Sequence, residues 1–158
     1  MNQQKILTLV LAFGSFFLGM ILMSVIFPYV HVQDKEIIYT NDSPKPIGPY
    51  SQAIRVDNMV FTSGQIGLDP LTNTLPEGIE DQTEKAMTNV RNILLQSGVD
   101  YSDVVNTRIY LINLSDFSTV NTIYARHMGS SAPARSTIQV SALPKGALIE
   151  IEMIAYRS

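Results

Sequence analysis

Charged side chains inside otherwise apolar stretches near the C-terminus are the residues of this sequence best suited to chemistry. Arg135 opens one such stretch, and Glu150 and Glu152 alternate with apolar residues in the next. A buried charge must be paired or used, because its removal from water is costly. A guanidinium fixed at the start of a strand can bind a carboxylate through two parallel hydrogen bonds. Arg135 is therefore a candidate for binding a carboxylate substrate.

The same residues allow a purely structural interpretation. Arg135 could form an internal ion pair with Glu150 or Glu152 that only stabilises a sheet, since structural ion pairs outnumber catalytic ones. A simple hairpin through residues 143–146 would offset Arg135 from Glu150 by about four residues, or ~13 Å at the rise of a strand. Pairing of the two residues within one chain is thus not implied.

Two further segments could contribute to a site. Ser63 and Gly64 follow a β-rich stretch, and a glycine at this place exposes backbone N–H groups that an anion could use. Tyr50 belongs to a Gly-Pro-Tyr-Ser segment, which could equally be an ordinary turn whose tyrosine caps the core. Each signal is weak when it is taken alone.

The composition excludes several other kinds of site. There is no cysteine, so the chain has no disulfide, thiolate nucleophile or cysteine metal ligand. His31 and His127 lack a ligand cluster at metal-site spacing, and we expect a linker residue, a surface-helix residue and no metal. The formal net charge is -3 and the Lys and Arg residues are dispersed, so nucleic acid is a poor candidate partner.

Hydrophobic periodicity predicts the elements that must position these residues. β-rich runs predict strands at 36–40, 53–56, 59–63, 104–112, 135–141 and 148–156. Apolar residues at three- and four-residue spacing predict helices over 80–97, ended by Gly98, and 115–129, with Ser115 as N-cap. The order βββαβαββ predicts an α+β fold, in which two helices cover one face of a mixed six-stranded sheet.

An uncharged N-terminal segment predicts a membrane anchor. Residues 6–27 contain 22 residues without a charge, which would span ~33 Å as a helix. The alternative is a cleaved signal peptide and a secreted protein, but the apolar core of such a peptide is shorter, ~7–15 residues. We therefore expect a tail at 1–5, a single transmembrane helix at 6–27, a linker at 28–35 and a domain at 36–158. Lys5 favours a cytoplasmic N-terminus, and hence a domain outside the cytoplasm, in the periplasm.

Five short segments together resemble one family, in the order and spacing of its motifs. They are PIGPYSQA at 46–53, FTSGQI at 61–66, FSTVN at 117–121 with Tyr124, PARS at 133–136 and IEIE at 149–152. The set resembles the RidA (YjgF/YER057c) family of enamine/imine deaminases and covers roughly residues 36–157.

This resemblance implies a chorismate-mutase-like fold, assembled as a homotrimer with its active sites between subunits. It also implies hydrolysis of reactive 2-enamine or 2-imine acids, such as 2-aminoacrylate, to 2-keto acids and ammonia without a cofactor. By the resemblance, Arg135 would bind the substrate carboxylate, and Glu150 would position or deprotonate the attacking water. The substrate-binding residues it implies are Tyr50 from the neighbouring subunit, Ser63, Gly64, Asn121 and Thr137.

Two features depart from the family pattern. Thr137 stands where many bacterial members have a cysteine, so we expect a polar cleft without a thiol-based redox response. The membrane anchor is also unusual, because family members are usually soluble. A different class of function therefore stays open, namely a membrane-tethered trimer that binds small carboxylates in the same cleft without turnover.

Overall fold

A mixed β-sheet with two helices on one face forms the domain that the computed structural model describes, residues 35–158. Its strands are β1 (Lys35–Ile38), β2 (Ala53–Val56), β3 (Met59–Thr62), β4 (Gln65–Ile66), β5 (Val104–Leu111), β6 (Ala134–Gln139) and β7 (Ile149–Tyr156). Its helices are α1 (Gly78–Gln96) and α2 (Phe117–Met128), and short 3₁₀ turns lie at Tyr101–Asp103, Leu114–Asp116 and Pro144–Gly146. The predicted α+β fold is confirmed, and β4 is the one strand that the sequence did not predict.

The additional strand arises from an interruption at Ser63 and Gly64. Phe61 of β3 lies opposite Ile154 of β7, and Gln65 of β4 lies opposite Ile151 of the same strand. The chain thus leaves the ladder for two residues and then pairs with β7 again. Ser63 and Gly64 therefore form a short break beside β7.

The last two strands do not form a hairpin. The strand order β1-β2-β3-β7-β5-β6 places β5 between β6 and β7. β6 runs parallel to β5, as a strand-helix-strand crossover through α2 requires, and β7 pairs antiparallel with the other edge of β5. A hairpin through residues 143–146 is therefore wrong, because Pro144–Gly146 leads the chain to the far side of β5.

The core lies between the sheet and the helices. Alternate residues of β7, from Ile149 to Ala155, are buried against α1 and α2, as their spacing in the sequence predicted. We call this side of the sheet the helix face. Glu150 and Glu152 belong to the other side, which no helix of residues 35–158 covers and which we call the open face.

A row of apolar side chains crosses the open face. The strand register aligns Ile37 with Ile54, Ile54 with Phe61, and Phe61 with Ile154. Ile37 is 64% exposed and Phe61 is 43% exposed. Contiguous exposed apolar surface is typical of a face that another protein surface covers.

The helix ends were predicted with mixed success. Gly98 follows α1 with φ of 78°, a left-handed conformation that suits glycine, and this confirms it as the residue that stops the helix. Ser115 is not the N-cap of α2, and that prediction is wrong. Its backbone N–H is instead bound by the Asn113 side chain at 3.0 Å, which forms the turn Leu114–Asp116, and α2 begins at Phe117.

The predicted tail, transmembrane helix and most of the linker lie in residues 1–34, outside the described residues. β1 begins at Lys35, which the prediction had assigned to the linker. Between residues 35 and 158, no helix combines the length and the apolar character that a membrane crossing requires.

Candidate active site

Four of the residues predicted for the site surround one pocket of about 480 Å³ on the open face. They are Tyr50, Ser63, Gly64 and Glu150, which come from the segment before β2, the break between β3 and β4, and the second position of β7. The rest of the wall consists of Ile47, Thr62, Ile66, Pro144 and Glu152. The pocket therefore combines a carboxyl pair with an apolar rim.

Glu150 lies directly against the backbone of Gly64. A Cβ at residue 64 would come within 2.6 Å of Cδ of Glu150 and would overlap its carboxyl oxygen. A side chain at residue 64 would therefore displace the carboxyl group from its place at the break between β3 and β4. The sequence had suggested Gly64 for its exposed N–H group, whereas the structure gives it a steric reason.

The Glu150 carboxyl group is suited to take up a proton. It is half-buried, and within residues 35–158 it makes no hydrogen bond or ion pair. Burial, and secondly the nearby negative charge of Glu152, raise the pKa of Glu150 above the usual range. A carboxyl group with a raised pKa and no partner in a pocket is typical of a general base or acid.

Ser63 and Tyr50 offer hydroxyl groups beside this carboxyl group. The Ser63 hydroxyl donates to the Ser51 carbonyl at 2.6 Å, so its oxygen remains available as an acceptor. The Tyr50 hydroxyl accepts a hydrogen bond from Ile47 N at 3.2 Å, so its own proton remains available to a ligand. Tyr50 is 47% exposed, so it does not cap the core, although the segment does form a turn through Tyr50 N and the Gly48 carbonyl.

The other predicted residues form a second group around Arg135. Its Nη2 donates to Oδ1 of Asn121 at 2.7 Å. Its guanidinium carbon lies 4.7 Å from the ring centroid of Tyr124 and 5.8 Å from that of Phe117. Both aromatic residues come from α2, so the helix and one amide fix the orientation of the guanidinium. Among residues 35–158, most of its N–H donors have no hydrogen-bond partner and can bind an anion.

Thr137 adds an unused hydroxyl group to this second group. It lies two residues after Arg135 on β6, and therefore on the same face of the sheet. Its Oγ1 is buried and has no hydrogen-bond partner among residues 35–158. A buried hydroxyl without a partner costs about 1–3 kcal/mol, which a ligand that bonds to it would offset.

Arg135 and Glu150 lie on opposite faces of the sheet. Arg135 is opposite Thr107 of β5, which in turn is opposite Met153 of β7, and both of these residues are buried on the helix face. Glu150 is opposite Tyr110, on the open face. Residues aligned across neighbouring strands share a face, so the two groups cannot meet within one chain. An internal Arg135–Glu150 ion pair is therefore excluded.

Glu152 has a different partner, which the sequence had not suggested. Its Oε1 accepts from Arg108 at 2.7 Å and from the Tyr110 hydroxyl at 3.2 Å. Burial and this carboxylate raise the pKa of Tyr110. The alternation of Arg108 and Tyr110 along β5 was the available signal, because it puts both on the same face as Glu152 once the two strands are known to pair.

Residues 40–157 match the family described as Endoribonuclease L-PSP. The chain belongs to this family. The match includes all the predicted site residues and all of the sheet except β1.

Relatives within the Endoribonuclease L-PSP family include named deaminases. Reactive Intermediate Deaminase A of Arabidopsis thaliana is 53% identical over 122 residues, which are 77% of this chain and 65% of that protein. The 2-iminobutanoate/2-iminopropanoate deaminase of Bos taurus is 46% identical over 122 residues, 77% of this chain and 89% of that protein. The resemblance to the RidA proteins is thus confirmed at the level of the family.

Crystal structures of Endoribonuclease L-PSP relatives share the fold. TdcF of E. coli, crystallised with bound serine, is 38% identical and superposes with a TM-score of 0.76 over 78% of this chain and 99% of that chain. RidA of a Psychrobacter species is 41% identical, with a TM-score of 0.75 over 77% of this chain and 98% of that chain.

His127, which the sequence predicted to be a surface residue of a helix, belongs to α2. It lies half-buried between the helices, where Nε2 is 2.6 Å from Glu84 and the ring packs edge-on against Tyr101. Residues 35–158 contain no group of three or more His, Cys, Asp or Glu side chains placed to hold a metal ion. His31 lies outside the described residues.

Proposed function

We propose that this chain hydrolyses reactive 2-enamine and 2-imine acids, such as 2-aminoacrylate, to 2-keto acids and ammonia. The deaminase names of relatives between 44% and 53% identical support this activity. The observation that carries it is the Glu150 carboxyl group, which is half-buried against Gly64, has a raised pKa and has no partner within residues 35–158. Such a group can exchange protons with water and with a nitrogen leaving group.

The chemistry needs both protons of the attacking water to reach the nitrogen. An enamine first takes a proton at C3 and loses one from nitrogen, which gives the imine. Water then adds to C2 of the imine while Glu150 accepts one of its protons and returns it to the nitrogen, which gives an amino alcohol. Glu150 passes the remaining hydroxyl proton to the amine, ammonia leaves as the C2–O bond becomes a carbonyl, and Glu150 ends the cycle in its starting state. No cofactor enters this sequence.

Arg135 binds the substrate carboxylate in this proposal. Its planar guanidinium matches a carboxylate, and the contacts with Asn121 and Tyr124 fix its orientation. Thr137 offers its unused hydroxyl to the same ligand. The bound serine of the relative TdcF, a small amino acid with a carboxylate, supports a ligand of this size and charge.

The opposite placement of Arg135 and Glu150 supports an assembly with sites between subunits. Arg135 of one subunit would meet Glu150, Tyr50, Ser63 and Gly64 of a neighbour, and a homotrimer would contain three such sites. The apolar row on the open face supports this assembly, because an interface would remove it from water.

We also propose that residues 6–27 anchor the chain in a membrane as a single helix, with the domain outside the cytoplasm. The 22 uncharged residues and Lys5 before them support this orientation. Protease added to intact spheroplasts is expected to degrade the domain. Protection of the domain from the protease would mean that it faces the cytoplasm.

The test of the activity uses the full chain in detergent, with a serine dehydratase that generates 2-aminoacrylate in the assay. The wild-type protein is expected to accelerate the appearance of pyruvate over the spontaneous rate, and Arg135→Ala and Glu150→Ala to abolish the acceleration. The rival function, carboxylate binding without turnover, predicts that a folded wild-type protein binds pyruvate but leaves the rate unchanged.

A further inference from the structure

The loop that carries Tyr50 joins β1 to β2 at the rim of the Glu150 pocket. Residues 45–50, which we call the Tyr50 loop, place Ile47 and Tyr50 in the pocket wall. Within the described domain, both hydrogen bonds of this loop are internal. The Tyr50 hydroxyl accepts from Ile47 N at 3.2 Å, and Tyr50 N donates to the Gly48 carbonyl at 2.9 Å. Hydrogen bonds therefore attach the loop to the domain only through its two ends.

The buried carboxamide of Gln52 connects these two ends. Gln52 lies two residues after the loop and is 1% exposed. Its Nε2 lies 2.9 Å from the carbonyl oxygen of Pro44, immediately before the loop, and 3.0 and 3.3 Å from those of Thr40 and Ser43. Its Oε1 accepts from Thr40 N at 2.7 Å. One side chain thus binds the backbone before the loop from a position just after it.

Both sides of this connection are fixed to the rest of the domain. The backbone carbonyl of Gln52 accepts from Ser63 N at 2.9 Å, at the break that also carries Gly64. The Ser43 hydroxyl donates to the Asn89 carbonyl of α1 at 2.7 Å. The carboxamide therefore joins the loop to the same part of the sheet that holds Glu150.

Because of its proline content, the position of the Tyr50 loop depends mainly on how its two ends are attached. Pro44, Pro46 and Pro49 each have a ring that restricts φ to about -65°. A short loop with few free torsions takes its position from the points where it is attached. A side chain that sets the distance between residues 44 and 52 therefore also sets the position of Tyr50.

We propose that Gln52 is a positioning residue, whose carboxamide closes the Tyr50 loop and so places Tyr50 in the wall of the pocket that Glu150 also lines. Its effect on turnover rests on the proposed function, whereas its effect on the loop does not. A displacement of ~1 Å in an active site can lower the rate by up to about 100-fold. Loss of the carboxamide is therefore expected to lower kcat/KM about tenfold.

Gln52→Met in the full-length chain is the first test, because methionine has a similar length and makes no comparable hydrogen bonds. Hydrogen–deuterium exchange is expected to become faster at the backbone amides of residues 40–50, and kcat/KM for 2-aminoacrylate to fall about tenfold. Tyr101→Phe is the matched control. It removes a buried hydrogen bond from the Tyr101 hydroxyl to the Met87 carbonyl, and it leaves both measurements unchanged.

Gln52→Glu distinguishes the acceptor role of the Gln52 carboxamide from its donor role. It is also the variant to measure if Gln52→Met does not fold. The carboxylate retains an acceptor for Thr40 N but has no hydrogen for the three carbonyls. Exchange is therefore expected to stay slow at Thr40 and to become faster at Ile47 and Tyr50. Unchanged exchange at Ile47 and Tyr50 in both Gln52 variants would overturn the proposed role.

A Tyr50→Ala background distinguishes positioning from general stabilisation. If Gln52 acts through Tyr50, adding Gln52→Met to Tyr50→Ala changes kcat/KM by less than about twofold. The same tenfold loss in both backgrounds would overturn the proposal. A wild-type protein without deaminase activity would refute the proposed function, while hydrogen exchange in the Tyr50 loop would still decide the role of Gln52.

Discussion

The Glu150 carboxyl group occupies the space that a side chain at residue 64 would need. Gly64 is not among the residues with positive φ, so its backbone conformation is open to any residue type. A larger residue at this position would instead have to displace the Glu150 carboxyl group. A glycine in a loop is usually attributed to backbone freedom, whereas here it marks the close approach of a functional group.

Gly64→Ala is expected to displace the Glu150 carboxyl group and to lower kcat/KM by about 100-fold, because the base would leave its place by an ångström or more. Gly48→Ala is the matched control at the rim of the same pocket. The nearest atoms to a Cβ at residue 48 lie 3.5 Å away in the Tyr50 ring, an ordinary contact. The dehydratase-coupled assay measures kcat/KM for both variants. Equal values for Gly64→Ala and Gly48→Ala would contradict the steric role of Gly64.

The pH dependence of activity follows from the environment of Glu150. Burial, and then the negative charge of Glu152, raise the pKa of Glu150 within one chain, and the acid limb of kcat/KM is expected to follow the pKa of this carboxyl group. Glu152→Gln removes a negative charge from the pocket, lowers the pKa of Glu150 and moves the acid limb to lower pH. Arg108→Gln leaves Glu152 without its ion pair and moves the limb to higher pH. Shifts in the same direction for both variants would contradict this origin of the limb.

The raised pKa of Glu150 also affects folding stability. The folded state keeps this proton to a higher pH than the unfolded state, so the carboxyl group destabilises the fold as pH rises from ~4.3 through the folded pKa. Glu150→Gln is therefore expected to raise the free energy of unfolding at pH 7 and to change it little at pH 3. Urea titrations at the two pH values measure the difference. An equal change at both would mean that the charge of Glu150 is not the cause.

Mixing two inactive variants tests whether sites form between subunits. Arg135→Ala and Glu150→Ala subunits, unfolded together and refolded at a 1:1 ratio, would combine an intact Arg135 and an intact Glu150 at about a quarter of the interfaces. About a quarter of the wild-type activity is expected to return. Mixing without refolding is the control. No recovery in a co-assembled protein would show that both residues must come from one chain.

Local features of the fold were predictable from the sequence. The alternation in residues 148–156 was enough to assign Glu150 and Glu152 to the face opposite Ile149 and Ile151, because a strand has a period of two. Asp57 and Asn58 are a turn-prone pair of residues, and β2 and β3 pair directly across them. In each case the decisive interaction lies within a few residues along the chain.

The relation between Arg135 and Glu150 could not be predicted in this way. It depends on β5 entering the sheet between β6 and β7, a choice made by packing of the whole domain rather than by any local pattern. The proposed role of Gln52 could not be predicted from the sequence for the same reason. A glutamine in a turn-rich segment is usually a surface residue, and only the folded loop surrounds it with backbone carbonyls.

The location of Arg135 and Glu150 on opposite faces of the sheet affects how activity depends on the concentration of subunits. In the proposed assembly, a newly folded chain would contain every reactive group of the site and yet be inactive, so activity would rise more steeply than linearly with the concentration of subunits. If residues 6–27 form the proposed anchor, the subunits would diffuse within a bilayer, in two dimensions instead of three. Encounters between subunits would then be frequent even where copies of the protein are few.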